Sequence, residues 1–469
     1  MAFESSRNFA SRPALSEGMP ANARAVALVA ATAILVAVAV LAATAAAGPG
    51  DRDRSFGENG AARLSNDTSL LAAAQRRGKL VAVGERGQQG GDVRLLVARF
   101  NRNGSLDASF NAGSQSAGGG TYLGPRAVAH AVAIERDGDI VVAGTLTDAS
   151  GGANRGMLVM RLKPSGKPDR SFSGDGRATM LTRQSGEANA VALGGGKIVV
   201  AGSATLGSAK DAYPRTAVAR FNSNGSRDRR FGAGGARVLD FGRISVVNGI
   251  AMAGHGKIVL AGSQRDNLQT TNVLAARLTK RGAPDRSFGG NVGIPGLFVR
   301  QYAQRGGYSA AFDVVTAGGG KVVLAGSAVS ASAGSTAIAL RLRRGGAPDR
   351  SFGHSGLVRL TATKDSSQFS KDEPLPGAQA LAHSGRDVVL AGYYDVLGRK
   401  EPALWALRPG GSLDRGFGNG GRTVTPVGTE SAQLRDVVAA GKRLYGVGNL
   451  SSLFDQPQGL ALGYRGAPG

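Results

Sequence analysis

The residues best suited to acid–base or metal chemistry in this chain are its four histidines, His130, His255, His354 and His383. None belongs to an H-E-x-x-H pair or stands at another metal-ligand spacing, so neither a metal nor a catalytic residue is expected among them. Cysteine is absent, which removes thiolate nucleophiles, thiolate metal sites and disulfides together. Gly416-Phe417-Gly418-Asn419-Gly420-Gly421 satisfies G-x-G-x-x-G. It precedes a short strand-like run rather than a helix, so the dinucleotide reading fails and no cofactor is expected. Walker A, nucleophile-elbow and EF-hand patterns are missing as well.

What remains is binding chemistry. Tyr302 and Tyr308 stand in one irregular segment, and Tyr393 with Tyr394 opens another. Loop aromatics can stack on sugars or peptides, or simply pack locally. A second candidate is a single position before a short apolar run, where successive copies of a repeat read Leu70, His130, Asn189, Asn248, Phe312, Gln379 and Arg435. Identity varies here while polarity is mostly kept. If the copies form equivalent blades of a ring, His130, Asn189, Asn248, Gln379 and Arg435 lie on one circle and shape a binding mouth. The competing explanation is that each side chain satisfies backbone groups at a strand entrance.

The elements that must position these residues are set by the repeat. The turn Asp169-Arg170-Ser171-Phe172 returns in related form from Asp53, Asp107, Asp228, Asp285, Asp349 and Asp414, and its phenylalanines are spaced 54 to 65 residues apart. A period this long marks a propeller, solenoid or array of supersecondary units. Residues that repeat strictly are expected to be scaffold; functional residues should differ between copies. The arginines Arg99, Arg161, Arg220, Arg277 and Arg341, each eight residues before the next repeated Asp, are therefore read as structural ion pairs, with Ala406 breaking the series.

Within the unit that starts at Asp169, strands are predicted over Arg177 to Leu181, Ala188 to Leu193, Lys197 to Ser203 and Thr216 to Asn222, each bounded by Gly, Asn or Ser. Glycines such as Gly195-Gly196 and Gly319-Gly320 supply the positive φ that a tight hairpin between the second and third strands needs. The third strand, as in Ile198-Val199-Val200-Ala201, is apolar throughout and so is buried on both faces. Seven units of four strands predict an all-β fold, a closed seven-bladed β-propeller over residues 51–469, with an open array as the alternative.

Leu106-Asp107-Ala108-Ser109-Phe110, the hairpin Asp137-Gly138-Asp139-Ile140-Val141-Val142-Ala143-Gly144 and the strand Val97-Ala98-Arg99-Phe100 together resemble the delta-60 repeat family of bacterial exported proteins. The resemblance covers residues 51–469, with Asn111 and Ser173 departing from the glycine of the motif. It implies an exported, propeller-like protein and transfers no catalytic residue.

Residues 1–50 read as a signal peptide or a membrane signal-anchor. An uncharged run from Ala25 to Ala47 follows Arg7, Arg12 and Arg24. It is long enough to span a bilayer as an apolar helix, and Ala45-Ala46-Ala47 also forms an A-x-A-like cleavage site. Either way the repeats are exported, to the outside or the cell envelope. The net charge of +24 invites polyanions, but the arginines recur with the repeat instead of forming one stripe, so nucleic acid is not an expected partner. The expected role is a monomeric scaffold binding a protein or glycan of the envelope; the rival is a propeller lyase or hydrolase acting on a glycan or small cyclic substrate.

Overall fold

The computed structural model describes residues 47–466 except 88–90, 113–119, 149–153, 181–184, 207–211, 243, 266–269, 304–306, 331–333, 362–376, 397–398 and 452–455. The apolar helix expected over Ala25 to Ala47 lies, but for its last residue, outside the described residues. Among those described, no helix is long and apolar enough to cross a membrane.

Seven antiparallel sheets of four strands form the blades. Their first strands are Thr68–Arg76, Ala127–Ile134, Gly186–Gly194, Ile244–Ala253, Tyr308–Ala317, Ala378–Ser384 and Ser431–Ala440, for blades 1 to 7 in order. Each of these strands touches the first strands of the blades on either side, blade 7 touching blade 1, so together they wall a central channel. The ring is closed by strand pairing as well. Ala61–Asn66, from the start of the fold, is the outer strand of blade 7 and pairs with Gln458–Arg465.

Sequence unit and blade are thus offset by one strand. Arg177–Met180, which follows the Asp169 turn, is the outer strand of blade 2 and pairs with Asn154–Leu162, which precedes that turn. A short turn brings its two flanking strands side by side, so neighbours in the chain pair across it. The hairpins between first and second strands use the expected positive φ, at Gly195, Gly196, Gly319 and Gly320 and also at His255.

The repeated turn residues form the seams between blades. Phe56, Phe110, Phe172, Phe231, Phe288, Phe352 and Phe417 are at most 1% exposed. Seven apolar clusters sit one at each seam; in one of them Val141, Val159 and Phe172 of blade 2 pack with Ile198, Val200 and Phe221 of blade 3. Above five of these rings, those of Phe110, Phe172, Phe231, Phe288 and Phe352, lies a guanidinium, as with Arg277 4.7 Å from the Phe288 centroid. Arg277 Nε donates to Asp285 Oδ2 at 2.7 Å, and its Nη1 donates to the Arg344 carbonyl of the next blade. Arg99, Arg161, Arg220 and Arg341 do the same toward Pro164, Ser223, Lys280 and Pro409. One side chain thus fastens its own turn and the neighbouring blade. Burial pushes the Asp285 carboxyl up, but hydrogen bonds from Lys257, Ser287 and Arg277 outweigh it and hold the group below the usual carboxylate range.

Candidate functional site

A β-bulge repeated in all seven blades faces the channel. Pairing between first and second strands slips by one residue at Leu71, His130, Asn189, Asn248, Phe312, Gln379 and Arg435. Opposite each bulge stands a glycine: Gly84, Gly144, Gly202, Gly262, Gly326, Gly392 or Gly448. A Cβ on any of them would lie 1.9 to 2.0 Å from the carbonyl oxygen two residues before the bulge. The Gly that closes each Val-Val-Ala-Gly-like run is therefore required by close backbone approach. The extra residue breaks the alternation of the strand and re-aims one side chain.

All seven bulged residues line one central cavity of about 210 Å3. His130, Asn189, Asn248, Gln379 and Arg435 are thus brought together, with Phe312 among them. In blade 1 the position is Leu71; Leu70, the residue that sequence alignment suggested, is fully buried in the seam. The cavity holds about seven waters at liquid density. That is room for one small polar group and too little for the body of a polymer.

Several of these side chains already fasten one blade to the next. Asn189 Nδ2 donates to the Val247 carbonyl of blade 4 at 3.0 Å, and Asn248 Nδ2 to the Ala311 carbonyl of blade 5 at 2.9 Å. Backbone satisfaction therefore accounts for one donor of each, across a seam rather than locally. His130 Nε2 lies 3.1 Å from Thr145 Oγ1 of its own blade, and burial pushes its imidazole down to about 4, leaving it neutral near pH 7. Arg435 differs. Its Nε is buried with no hydrogen-bond partner, and burial disfavours its charge while Tyr393 and Glu85 favour it from a distance.

Two acids of the channel were not singled out in the sequence, although an acid after the bulge was visible there. Asp313 Oδ2 accepts the Leu381 N–H of blade 6 at 3.1 Å, and Asp436 Oδ2 the Ala73 N–H of blade 1 at 2.8 Å. The other oxygens accept from Val314 and Val437, both at 2.7 Å. Each side chain keeps some contact with channel solvent, yet protein surrounds it, and that burial raises Asp313 to about 6. Burial, with the nearby charge of Asp313, raises Asp436 to about 7.

This sets an expected pH profile. The folded chain binds more protons than the unfolded chain between about pH 4 and pH 7 at these two groups, so their contribution to stability declines as pH rises through that window. The turn aspartates have lowered values and act oppositely, losing their contribution as pH falls below about 4. Denaturant midpoints measured from pH 4 to pH 8 should flatten in Asp436→Asn relative to the parent chain; an unchanged slope contradicts the assignment.

The tyrosines do not form a shared surface. Tyr393 has no exposed area and Tyr302 is 9% exposed, packed in the seam cluster with Phe288 and Phe298. A buried ring cannot stack on a ligand, so these two leave the candidate set. Tyr308 is half-buried at the start of the first strand of blade 5, and the Tyr394 ring lies under Arg422 at 5.0 Å. Among the described residues one group of three acids has a spacing fit for a cation, Glu135, Asp137 and Asp139. Arg161 and Lys163 already pair with it, at 3.3 Å to Glu135 and 3.0 Å to Asp139, so it is occupied by the protein's own cations.

Residues 78–110, 135–172, 196–231 and 320–352 match the family described as "Domain of unknown function (DUF5122) beta-propeller". No curated protein matches the sequence. Solved structures similar to this chain include the polysaccharide lyase Uly1, at 13% identity over 89% of this chain and 97% of that chain, TM-score 0.43. A puromycin hydrolase is similar at 14% identity over 83% and 52%, TM-score 0.44. Drosophila Semaphorin 2a is similar at 9% identity over 86% and 74%, TM-score 0.46. Likeness at these values supports no shared activity.

Proposed function

We propose that this chain is an exported or membrane-anchored propeller of the delta-60 repeat type that binds a protein or glycan of the cell envelope, holding a small polar group of that ligand in the central channel. One observation carries the reading. The bulge position, where the repeats differ in identity, converges on a single cavity, while the seam residues repeat. Arg435 is its centre, since its buried Nε has no hydrogen-bond partner, which is costly unless an acceptor arrives.

Asp313 and Asp436 favour the rival, a propeller lyase or hydrolase, because acids with raised pKa in a cleft are typical of catalysis. Both oxygens of each acid already accept backbone N–H groups, which supports a role as fasteners between blades. Binding is therefore the preferred reading.

The test uses the full chain recovered from the envelope or culture fluid of its own cells, probed against immobilised glycans and envelope proteins beside a hydrolase screen. Arg435→Gln should weaken a bound ligand about tenfold or more while leaving stability equal or higher, because a buried Nε–H without a hydrogen-bond partner is removed. Unchanged binding, or turnover that survives Asp313→Asn and Asp436→Asn without any stable binding, contradicts the proposal. Recovery of the chain only from the cytoplasm contradicts export.

A further inference from the structure

At the seam of blades 3 and 4 the repeat is broken by charge. A groove of about 550 Å3 there is lined by Lys197, Arg220, Arg230, Lys280 and Arg281, with no acid among its lining residues. Arg230 stands where other copies of the turn carry Ser55, Ser109, Ser171, Ser287 and Ser351. Lys280 and Arg281 stand where the seam of blades 2 and 3 has Ser223 and Asn224. The equivalence follows from the fastening arginines, since Arg161 reaches the Ser223 carbonyl as Arg220 reaches that of Lys280.

Two of the five cations are engaged. Lys197 and Arg220 both pair with Asp228, at 3.4 and 3.0 Å. Arg230, Lys280 and Arg281 are exposed and form no ion pair among the described residues. Like charges gathered in one groove repel, and nothing in the scaffold asks for them, because the neighbouring seam makes the same contacts with serine and asparagine. The floor between them is apolar, built from Val199, Met252 and Ala253. Gly194 keeps it low, since a Cβ there would press on Met252 Cε at 3.0 Å. Cations around an apolar floor match a sugar ring that offers a C–H face and a charged edge better than they match a bare phosphate chain.

We infer that this groove binds an acidic polysaccharide, with Arg230, Lys280 and Arg281 taking its carboxylates. It lies at the far end of the first strands from the bulges and is independent of the channel.

The experiment titrates the full chain with polygalacturonate, neutral dextran and inorganic polyphosphate at fixed ionic strength. The triple variant Arg230→Ser, Lys280→Ser, Arg281→Asn carries the residues this chain itself uses at the adjacent seam, so its thermal midpoint should be unchanged. Polygalacturonate binding should weaken about tenfold or more. A control, Arg170→Ser, Arg286→Ser, Arg350→Ser, removes the same charge from exposed turn positions elsewhere and should stay within about twofold of the parent. Equal loss in both variants means only net charge matters and overturns the site, as does no loss in the first. Tighter binding of polyphosphate than of polygalacturonate overturns the sugar assignment.

Discussion

Phe288→Ala is expected to destabilise the ring by about 3 to 5 kcal/mol, the usual cost of emptying a large aromatic from a packed core. The ring is 1% exposed and belongs to a cluster with Val259, Ala275, Leu324 and Leu340, drawn from blades 4 and 5. It also supports the face of Arg277, 4.7 Å away, so that removal leaves a guanidinium over a void. Collapse cannot refill the space cheaply, because Asp285 holds Arg277 from one side and the Arg344 carbonyl from the other. Chemical denaturation of the parent and variant chains measures the difference. A change below about 1 kcal/mol, within the range of surface substitutions, removes the phenylalanine from the core and with it the seam account of the repeat.

Gly262→Ala is expected to cost about 3 kcal/mol or more, although it adds a single methyl group. That methyl would lie 1.9 Å from the Val246 carbonyl oxygen, which is backbone and cannot swing aside. Either the bulge at Asn248 is expelled or the second strand of blade 4 moves. In the first case Asn248 loses its bond to the Ala311 carbonyl, and one seam of the channel opens. Gly254→Ala in the same blade is the control: nothing lies within 4 Å of a Cβ there and its φ is not positive. Equal stability of the two variants contradicts the role given to the bulge glycine.

The scaffold was legible because it is written seven times. A buried Phe at every seam and, at five of them, a paired Arg eight residues before the turn Asp leave a fixed spacing that single strands would not, and the apolar second strands follow from burial on both faces. The ring of divergent positions was legible by the same comparison. Its alignment slipped at Leu70 because Leu70 and Leu71 are chemically alike, and a bulge removes the strict alternation that would separate them. The offset between unit and blade was hidden, since a turn motif does not tell which side of it completes a sheet. Tyr302 and Tyr393 misled because an aromatic in an irregular stretch reads the same whether it faces solvent or a seam. Asp313 and Asp436 were visible as acids, but their bonds to the next blade depend on the ring having closed.

Whether the channel is a site can be measured directly, because the chain has no native cysteine. In Gln379→Cys the only thiol of the chain lines the central cavity. Ligand binding is measured before and after capping that thiol with a small uncharged reagent. Capping should abolish binding of the ligand found with the parent chain while leaving the melting midpoint in place, because the adduct fills the cavity of about 210 Å3 without disturbing a seam. Complete capping with undiminished affinity would place the ligand elsewhere and contradict the central claim.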